Sequence, residues 1–153
     1  MVLPIREGDI PGIQLRTRRR LAVDRVEAWR WLTDSRRLER WLADRAEVEP
    51  GPRGGLRLER AGPSVAERVI ETGRTEHFEP NRAWALAFRK EDRLWEGAAT
   101  RLELSILDAE GACELDVLQT GFHLLSLSAC LTIWEEYRRR WRDALARLGE
   151  LGR

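Results

Sequence analysis

The spacing of hydrophobic residues changes twice along the chain, and each change marks a different kind of element. From Leu56 to Gln119 apolar residues alternate with charged ones, as at Leu102 and Leu104. A period of two, broken by short turns, is typical of strands with one buried face and predicts an antiparallel meander. We expect six strands there, carrying Leu56 and Leu58, Val65 to Ile70, Gly73 to Glu79, Trp84 to Phe88, Leu102 to Ile106, and Cys113 to Gln119. An earlier segment, 14–22, alternates loosely and predicts one further strand.

Between the first strand and the meander, the pattern predicts two short helices. Asp24 is suited to cap the first helix, whose apolar residues recur at every third position as far as Leu32. Asp34 or Ser35 caps the second helix, which ends near Leu42. Its apolar stripe consists of Leu38, Trp41 and Leu42.

The second change of spacing predicts one long helix over residues 128–148. Apolar residues recur there at steps of three and four, which places them on one face of a helix. Ser126 or Ser128 is suited to cap this helix, and Gly149 to end it. The stripe consists of Leu127, Leu131, Trp134, Tyr137, Trp141, Leu145 and Leu148.

The charges of the chain are balanced: 27 basic and 26 acidic residues leave a net charge of +1. A nucleic-acid-binding domain carries a basic face of one sign, so the balance argues against nucleic acid as a partner. Arg138 to Arg140 follow Glu135 and Glu136 at the spacing that pairs opposite charges on a helix. We expect these ion pairs to lie on the exposed face of the long helix.

The length of 153 residues fits a single domain. We expect an irregular lead-in over residues 1–13, which are rich in proline and glycine, and one domain over residues 14–153. The first residues lack a basic segment followed by an apolar one, so we expect no secretory signal and a cytoplasmic location. The most apolar stretch, residues 123–134, is too short to span a membrane.

The residue types that catalyse reactions or bind metals are sparse. Cys113, Cys130 and the two histidines lack the spacing of a zinc site, so we expect two reduced thiols, no metal and no cofactor. His123 lies near Ser126 and Asp116 in the sequence, but no GxSxG motif accompanies these residues. We therefore predict that the protein is not an enzyme. Its seven tryptophans suit either an apolar core or the wall of an apolar pocket.

Several short motifs are similar to those of a known family. The helix pair of that family resembles Val26-Glu-Ala-Trp29 followed by Leu32-Thr-Asp34. The Gly-Gly turn of the family is matched by Gly54-Gly55. Its segment of strand, Glu-Pro turn and strand is similar to residues 73–88.

The last helix of the family carries a tryptophan followed by leucines, matched here by Trp141, Leu145 and Leu148. Over about residues 14–150 the chain thus resembles the activator of heat-shock-protein-90 ATPase homologue-like family. This family is part of the START and Bet v 1-like (SRPBCC) superfamily. The sequence departs from the family pattern at Arg140, where a glycine is expected, and in the unusually apolar stretch 122–132.

The resemblance implies an α+β helix-grip fold. In this fold a curved antiparallel sheet of about seven strands wraps around a long C-terminal helix, and two short helices follow the first strand. It also implies a cavity between sheet and helix, which we expect to be at most a few hundred cubic ångströms here. The residues expected to line it are Trp84, Leu86, Phe88, Leu104, Leu115, Val117, Gln119, His123, Trp134, Tyr137 and Trp141.

We therefore predict non-enzymatic binding of a small apolar or amphipathic molecule. One alternative is a chaperone-associated or other protein-interaction module, which predicts a filled cavity and an exposed apolar patch at Trp95 or Leu124-Leu125. Another alternative is a cyclase- or hydrolase-like enzyme, which predicts that His, Arg and Glu converge in the cavity. A homodimer is a further open alternative.

Overall fold

A computed structural model describes residues 6–62, 64, 66–95 and 97–152 of the chain. The three helices are α1 Arg25–Thr33, α2 Ser35–Trp41 and α3 Cys130–Leu151. The seven strands are β1 Gln14–Leu21, β2 Arg45–Glu49, β3 Gly55–Ala61, β4 Arg68–Glu79, β5 Ala83–Lys90, β6 Thr100–Ala109 and β7 Ala112–Thr120.

The strands form one curved antiparallel sheet in the order β1-β7-β6-β5-β4-β3-β2. Strands β2 to β7 pair with their neighbours in sequence, whereas β1 pairs with β7. The helices α1 and α2 connect β1 to the far edge of the sheet, and α3 follows the last strand. This architecture is the helix-grip fold, and it confirms the fold that the sequence predicts. Within the part of the chain that the structure describes, no helix is long and apolar enough to cross a membrane.

Two errors in the predicted strands compensate for each other. Strand β2 was not expected, because it is a charged edge strand whose inward residues, Ala46 and Val48, are small. Conversely, the residues around Gly73 were expected to separate two strands, but they lie within the single strand β4. Gly73 serves close packing, since a Cβ atom there would lie 3.0 Å from Leu86 Cδ2. Val65, which we had assigned to a strand, lies outside the described residues.

Both predicted aspartate caps are present. The Asp24 carboxylate accepts a hydrogen bond of 2.8 Å from the backbone N–H of Glu27 at the start of α1. The Asp34 carboxylate accepts from the backbone N–H groups of Arg36 and Arg37 at the start of α2. Each carboxylate satisfies donors that the helix itself leaves unpaired, which explains where the helices begin.

The long helix begins later and ends later than the sequence predicts. No serine caps α3: its N-cap is Ala129, whose side chain makes no capping bond, while the Ser126 and Ser128 hydroxyls bond to each other. Leu127 therefore precedes the helix and is exposed, and Leu131 is exposed as well. Gly149 does not end α3, because it lies in the helix where a Cβ atom would meet the Arg19 guanidinium at 2.3 Å.

The arginine triplet of α3 does not lie entirely on the exposed face, contrary to our expectation. Arg139 is exposed and pairs with Glu135. Arg138 is buried and pairs with Asp9, so it ties the segment before β1 to the helix. Arg140 points towards the sheet and pairs with Glu71 of β4. Successive residues of a helix point about 100° apart, so three neighbours cannot share one face.

Candidate functional site

Ten of the eleven residues expected to line a cavity lie together between α3 and the inner face of the sheet. None of the ten exposes more than 3% of its surface. A side chain that borders a void wide enough for water retains accessible surface, so these ten side chains fill the space between them. Their role in ligand binding stays a prediction. They are Trp84, Leu86, Phe88, Leu104, Leu115, Val117, Gln119, Trp134, Tyr137 and Trp141.

His123, the eleventh residue, does not join this group. It lies in a single 3-10 turn, Phe122–Leu124, between β7 and α3, and its side chain is exposed. Phe122 is the residue of this turn that points inward. The sequence alone did not distinguish these two orientations, because the turn is too short to show a hydrophobic period.

The interior is filled mainly by aromatic rings around Tyr137. The rings of Phe88, Trp95 and Phe122 lie with their centroids 6.0, 5.9 and 6.1 Å from that of Tyr137. Trp95 was expected in an exposed patch, but it is 1% exposed. A 3-10 turn, Arg93–Trp95, in the connection between β5 and β6 places the Trp95 indole against Tyr137.

The buried polar groups beside this cluster satisfy one another. The Trp141 Nε1–H group donates to Gln119 Oε1 at 2.8 Å, and the Gln119 amide donates to the Thr100 hydroxyl at 3.0 Å. The Thr100 hydroxyl donates to the backbone carbonyl of Phe88 at 2.9 Å. This series of hydrogen bonds links α3, β7, β6 and β5. It fixes the indole of Trp141, and both the oxygen and the nitrogen of the Gln119 amide have a structural partner.

A second polar group inside the molecule was not predicted. Glu71 lies near the middle of β4 and is fully buried. The Tyr137 hydroxyl donates to Glu71 Oε2 at 2.5 Å, and the Arg140 guanidinium donates to the same oxygen. Arg60 of β3 lies on the other side, with 3.5 Å between its Nε atom and Glu71 Oε1. We call these four residues the Glu71 cluster.

The Glu71 cluster is incompletely bonded. Within the part of the chain that the structure describes, Glu71 Oε1 and Arg60 Nε are both buried and have no hydrogen-bond partner. Burial, together with the negative charge of Glu71, raises the pKa of the Tyr137 phenol well above its ordinary value. The phenol therefore stays protonated and acts as a donor.

A surface groove of about 550 Å³ leads to the Glu71 cluster. It runs between the end of α2, the end of β3 and the second half of α3. Arg140 spans its inner end, because one nitrogen bonds to Glu71 and another donates to the Leu42 carbonyl at 3.1 Å. Arg147 borders the groove further out and donates to the Trp41 carbonyl. The groove walls include Trp41, Leu42, Ala43, Ala61, Arg60, Arg140 and Arg147.

The sequence contains a signal for the inward position of Glu71 that our strand prediction missed. In β4 alternate residues share a face, and Val69, Glu71 and Gly73 are the inward ones. A carboxylate in that row is unexpected for a core strand. We predicted two strands separated near Gly73, so the alternation of β4 and the inward position of Glu71 in it were not recognised. The other signal is Arg140, which stands where the family pattern has a glycine.

Residues 22–148 match the family described as Activator of Hsp90 ATPase homolog 1-like protein. Among solved structures, a protein from Rhodobacter sphaeroides is similar over 97% of this chain and 95% of its own, with 22% identity and a TM-score of 0.76. Protein Ms6760 from Mycobacterium smegmatis is similar over 95% of this chain and 93% of its own, with 14% identity and a TM-score of 0.77. At these identities the likeness shows the fold alone.

DynU16, a protein of the dynemicin biosynthetic locus, is similar over 90% of this chain, with 16% identity and a TM-score of 0.68. This chain spans only 46% of the length of DynU16. No curated protein matches the chain.

Proposed function

This chain belongs to the Activator of Hsp90 ATPase homolog 1-like family, and we propose that it binds a small amphipathic molecule between α3 and the sheet without altering it. The observation that carries this proposal is the Glu71 cluster. It places a buried carboxylate and a buried phenol behind two guanidinium groups that line a groove, directly beside an aromatic interior. Binding sites for small molecules combine apolar walls with a few polar groups that fix orientation.

The apolar part of the ligand needs space that Trp95 occupies in this structure. Trp95 belongs to the short connection between β5 and β6, and its neighbour Leu94 is half exposed. A side chain on a short connection is displaced at lower cost than one on a central strand, because fewer backbone hydrogen bonds must change. We infer that the indole of Trp95 gives way when a ligand enters.

We propose binding rather than catalysis because of the chemistry of the Glu71 cluster. The cluster contains a carboxylate and a phenol but neither an imidazole nor a thiol. The phenol, with its raised pKa, is a poor base at neutral pH. A cyclase- or hydrolase-like mechanism would draw on His123, whose side chain lies at the surface.

Two observations favour a second candidate, a protein-interaction module: the filled space between α3 and the sheet, and a group of exposed leucines. The side chains of Leu124, Leu127 and Leu131 are 66%, 90% and 57% exposed around the start of α3. Exposed leucines grouped in this way mark contact surfaces in many proteins. Leu125, which was expected in the same patch, is buried.

A native mass spectrum of freshly purified protein tests the proposed function, together with titration of an apolar fluorescent probe. We expect a bound molecule whose mass disappears on denaturation, or probe binding that Trp141→Ala alters by enlarging the interior. Leu127→Ala is the matched control, because it removes a large apolar side chain from the exposed patch only. Absence of both signals in the wild type would overturn the proposal. Probe binding that is lost in Leu127→Ala and unchanged in Trp141→Ala would favour the interaction module.

A further inference from the structure

We propose that Arg60 and Arg140 form an anion site, so that the ligand of this chain is an amphiphile with a head group of carboxylate size and charge. This inference rests on the proposed function and specifies its ligand class. It is carried by the position of two guanidinium groups on different elements, β3 and α3, at the inner end of one groove.

Glu71 holds these two guanidinium groups from the interior. The Arg140 guanidinium bonds to Oε2, the oxygen that also accepts from Tyr137, and Arg60 lies next to Oε1. Arg140 also lies over the Tyr137 ring, 5.9 Å from its centroid. Glu71 is thus a positioning residue for both arginines, which also line the groove.

The N–H donors of Arg60 and Arg140 outnumber the acceptors that the protein supplies to them. Each guanidinium has five N–H donors, and the Glu71 carboxylate and the Leu42 carbonyl together cannot satisfy both groups. The buried Arg60 Nε atom makes no hydrogen bond, although Glu71 Oε1 lies 3.5 Å away and is equally unbonded. A carboxylate entering the groove can accept charge-assisted hydrogen bonds from Arg60 and Arg140, and such bonds are stronger than those between neutral groups.

The groove is lined by three acidic residues and by four arginines, and two of the three acidic residues accept hydrogen bonds from the backbone. Glu39 accepts from the backbone N–H of Ala46 at 3.0 Å, and Asp44 from that of Ala61 at 2.9 Å. The third, Asp143, is exposed at the rim. An anionic head group therefore meets arginine at the inner end of the groove, and its chain points towards Tyr137 and Trp95.

Titration of the whole protein with decanoate, decan-1-ol and decyltrimethylammonium tests the inference, because the three share one apolar chain and differ in charge. We expect decanoate to bind at least about tenfold more tightly than decan-1-ol, and the ammonium compound to bind most weakly. Decan-1-ol or the ammonium compound binding as tightly as decanoate would overturn the anion site and leave the proposed function standing. No binding of any of the three, with no molecule bound in the native mass spectrum, would overturn both.

Two variants locate the site. Arg60→Gln should weaken decanoate by about tenfold and leave decan-1-ol unchanged, since it removes one of the two guanidinium groups of the proposed site. Arg139→Gln is the matched control, because Arg139 is next to Arg140 in the sequence but lies on the exposed face of α3. It should change neither affinity. Arg140→Lys keeps the charge next to Glu71 and should weaken decanoate in the same direction. Unchanged decanoate affinity in both Arg60→Gln and Arg140→Lys would overturn the inference.

Discussion

The hydroxyl of Tyr137 on α3 donates a 2.5 Å hydrogen bond to the carboxylate of Glu71 on β4, and neither residue is exposed to water. This bond joins the long helix to the middle of the sheet at a place where the surrounding side chains are aromatic. The bond gives each group one partner, so burying the two together is less costly than burying either one alone, although Glu71 Oε1 has no hydrogen-bond partner among the described residues.

Tyr137 is the only tyrosine of the chain, so alkaline titration of phenolate absorbance reports on it alone. Burial and the charge of Glu71 raise the pKa of the phenol in the folded protein. Unfolded protein ionises near the ordinary pKa of about 10. We therefore expect no phenolate in the folded protein near that pH. The contribution of Tyr137 to stability is fully present below this value, and it falls as the pH rises above it.

The control for this titration is Tyr137→Phe, which should show no phenolate signal and a free energy of unfolding less dependent on pH above about 10. A phenolate signal with an ordinary midpoint in protein that is still folded by circular dichroism would contradict the buried bond.

Trp29 is predicted to be essential for the stability of the α1 packing. It is 8% exposed, and its ring centroid lies 5.7 Å from that of Phe78 on β4. We expect Trp29→Ala to lower the free energy of unfolding by about 3–5 kcal/mol, the usual cost of removing a buried large aromatic side chain. Denaturant unfolding measures this change. A loss below about 1 kcal/mol would place Trp29 outside the core.

Much of the fold is predictable from the sequence because its signals are local. Each of the Asp24 and Asp34 caps involves close neighbours in the sequence. The alternation in β6 lies within one strand, and the stripe from Trp134 to Leu148 lies within one helix. Strand β2 was missed because an edge strand has little apolar character to display. The start of α3 was misplaced because the backbone N–H groups there turn onto the Ser126 carbonyl, not onto a serine side chain.

The candidate site is less predictable because its residues are distant in the sequence. Glu71 and Arg140 are 69 residues apart, and each looks like an ordinary charged residue in its own segment. Only the register of β4 and the rotation of α3 bring them together. The same holds for Trp95, whose neighbours in the sequence are polar or exposed and whose burial depends on the path of one short connection.

The two cysteines should differ in reactivity although both are free thiols. Cys113 on β7 is buried, and burial raises the pKa of its thiol, whereas Cys130 at the start of α3 is partly exposed. The thiolate is the reactive form, so we expect an Ellman-type reagent to modify Cys130 quickly and Cys113 slowly in native protein. Denatured protein without reductant should give two thiols per chain. Equal rates in native protein, or fewer than two thiols on denaturation, would contradict the prediction.

Trp95→Ala should convert the filled interior into an open one. The indole lies against Tyr137, deep between α3 and the sheet, yet it is supplied by a connection rather than by a strand or helix of the frame. Removing it leaves a void next to the Glu71 cluster, and an apolar void of this kind binds small apolar molecules. We expect the variant to bind an apolar fluorescent probe more tightly than the wild type does, with a loss of about 3–5 kcal/mol in stability. Leu94→Ala, at the half-exposed neighbouring position, is the control and should alter neither property. A folded Trp95→Ala protein whose probe affinity equals that of the wild type would show that Trp95 does not occupy the binding space.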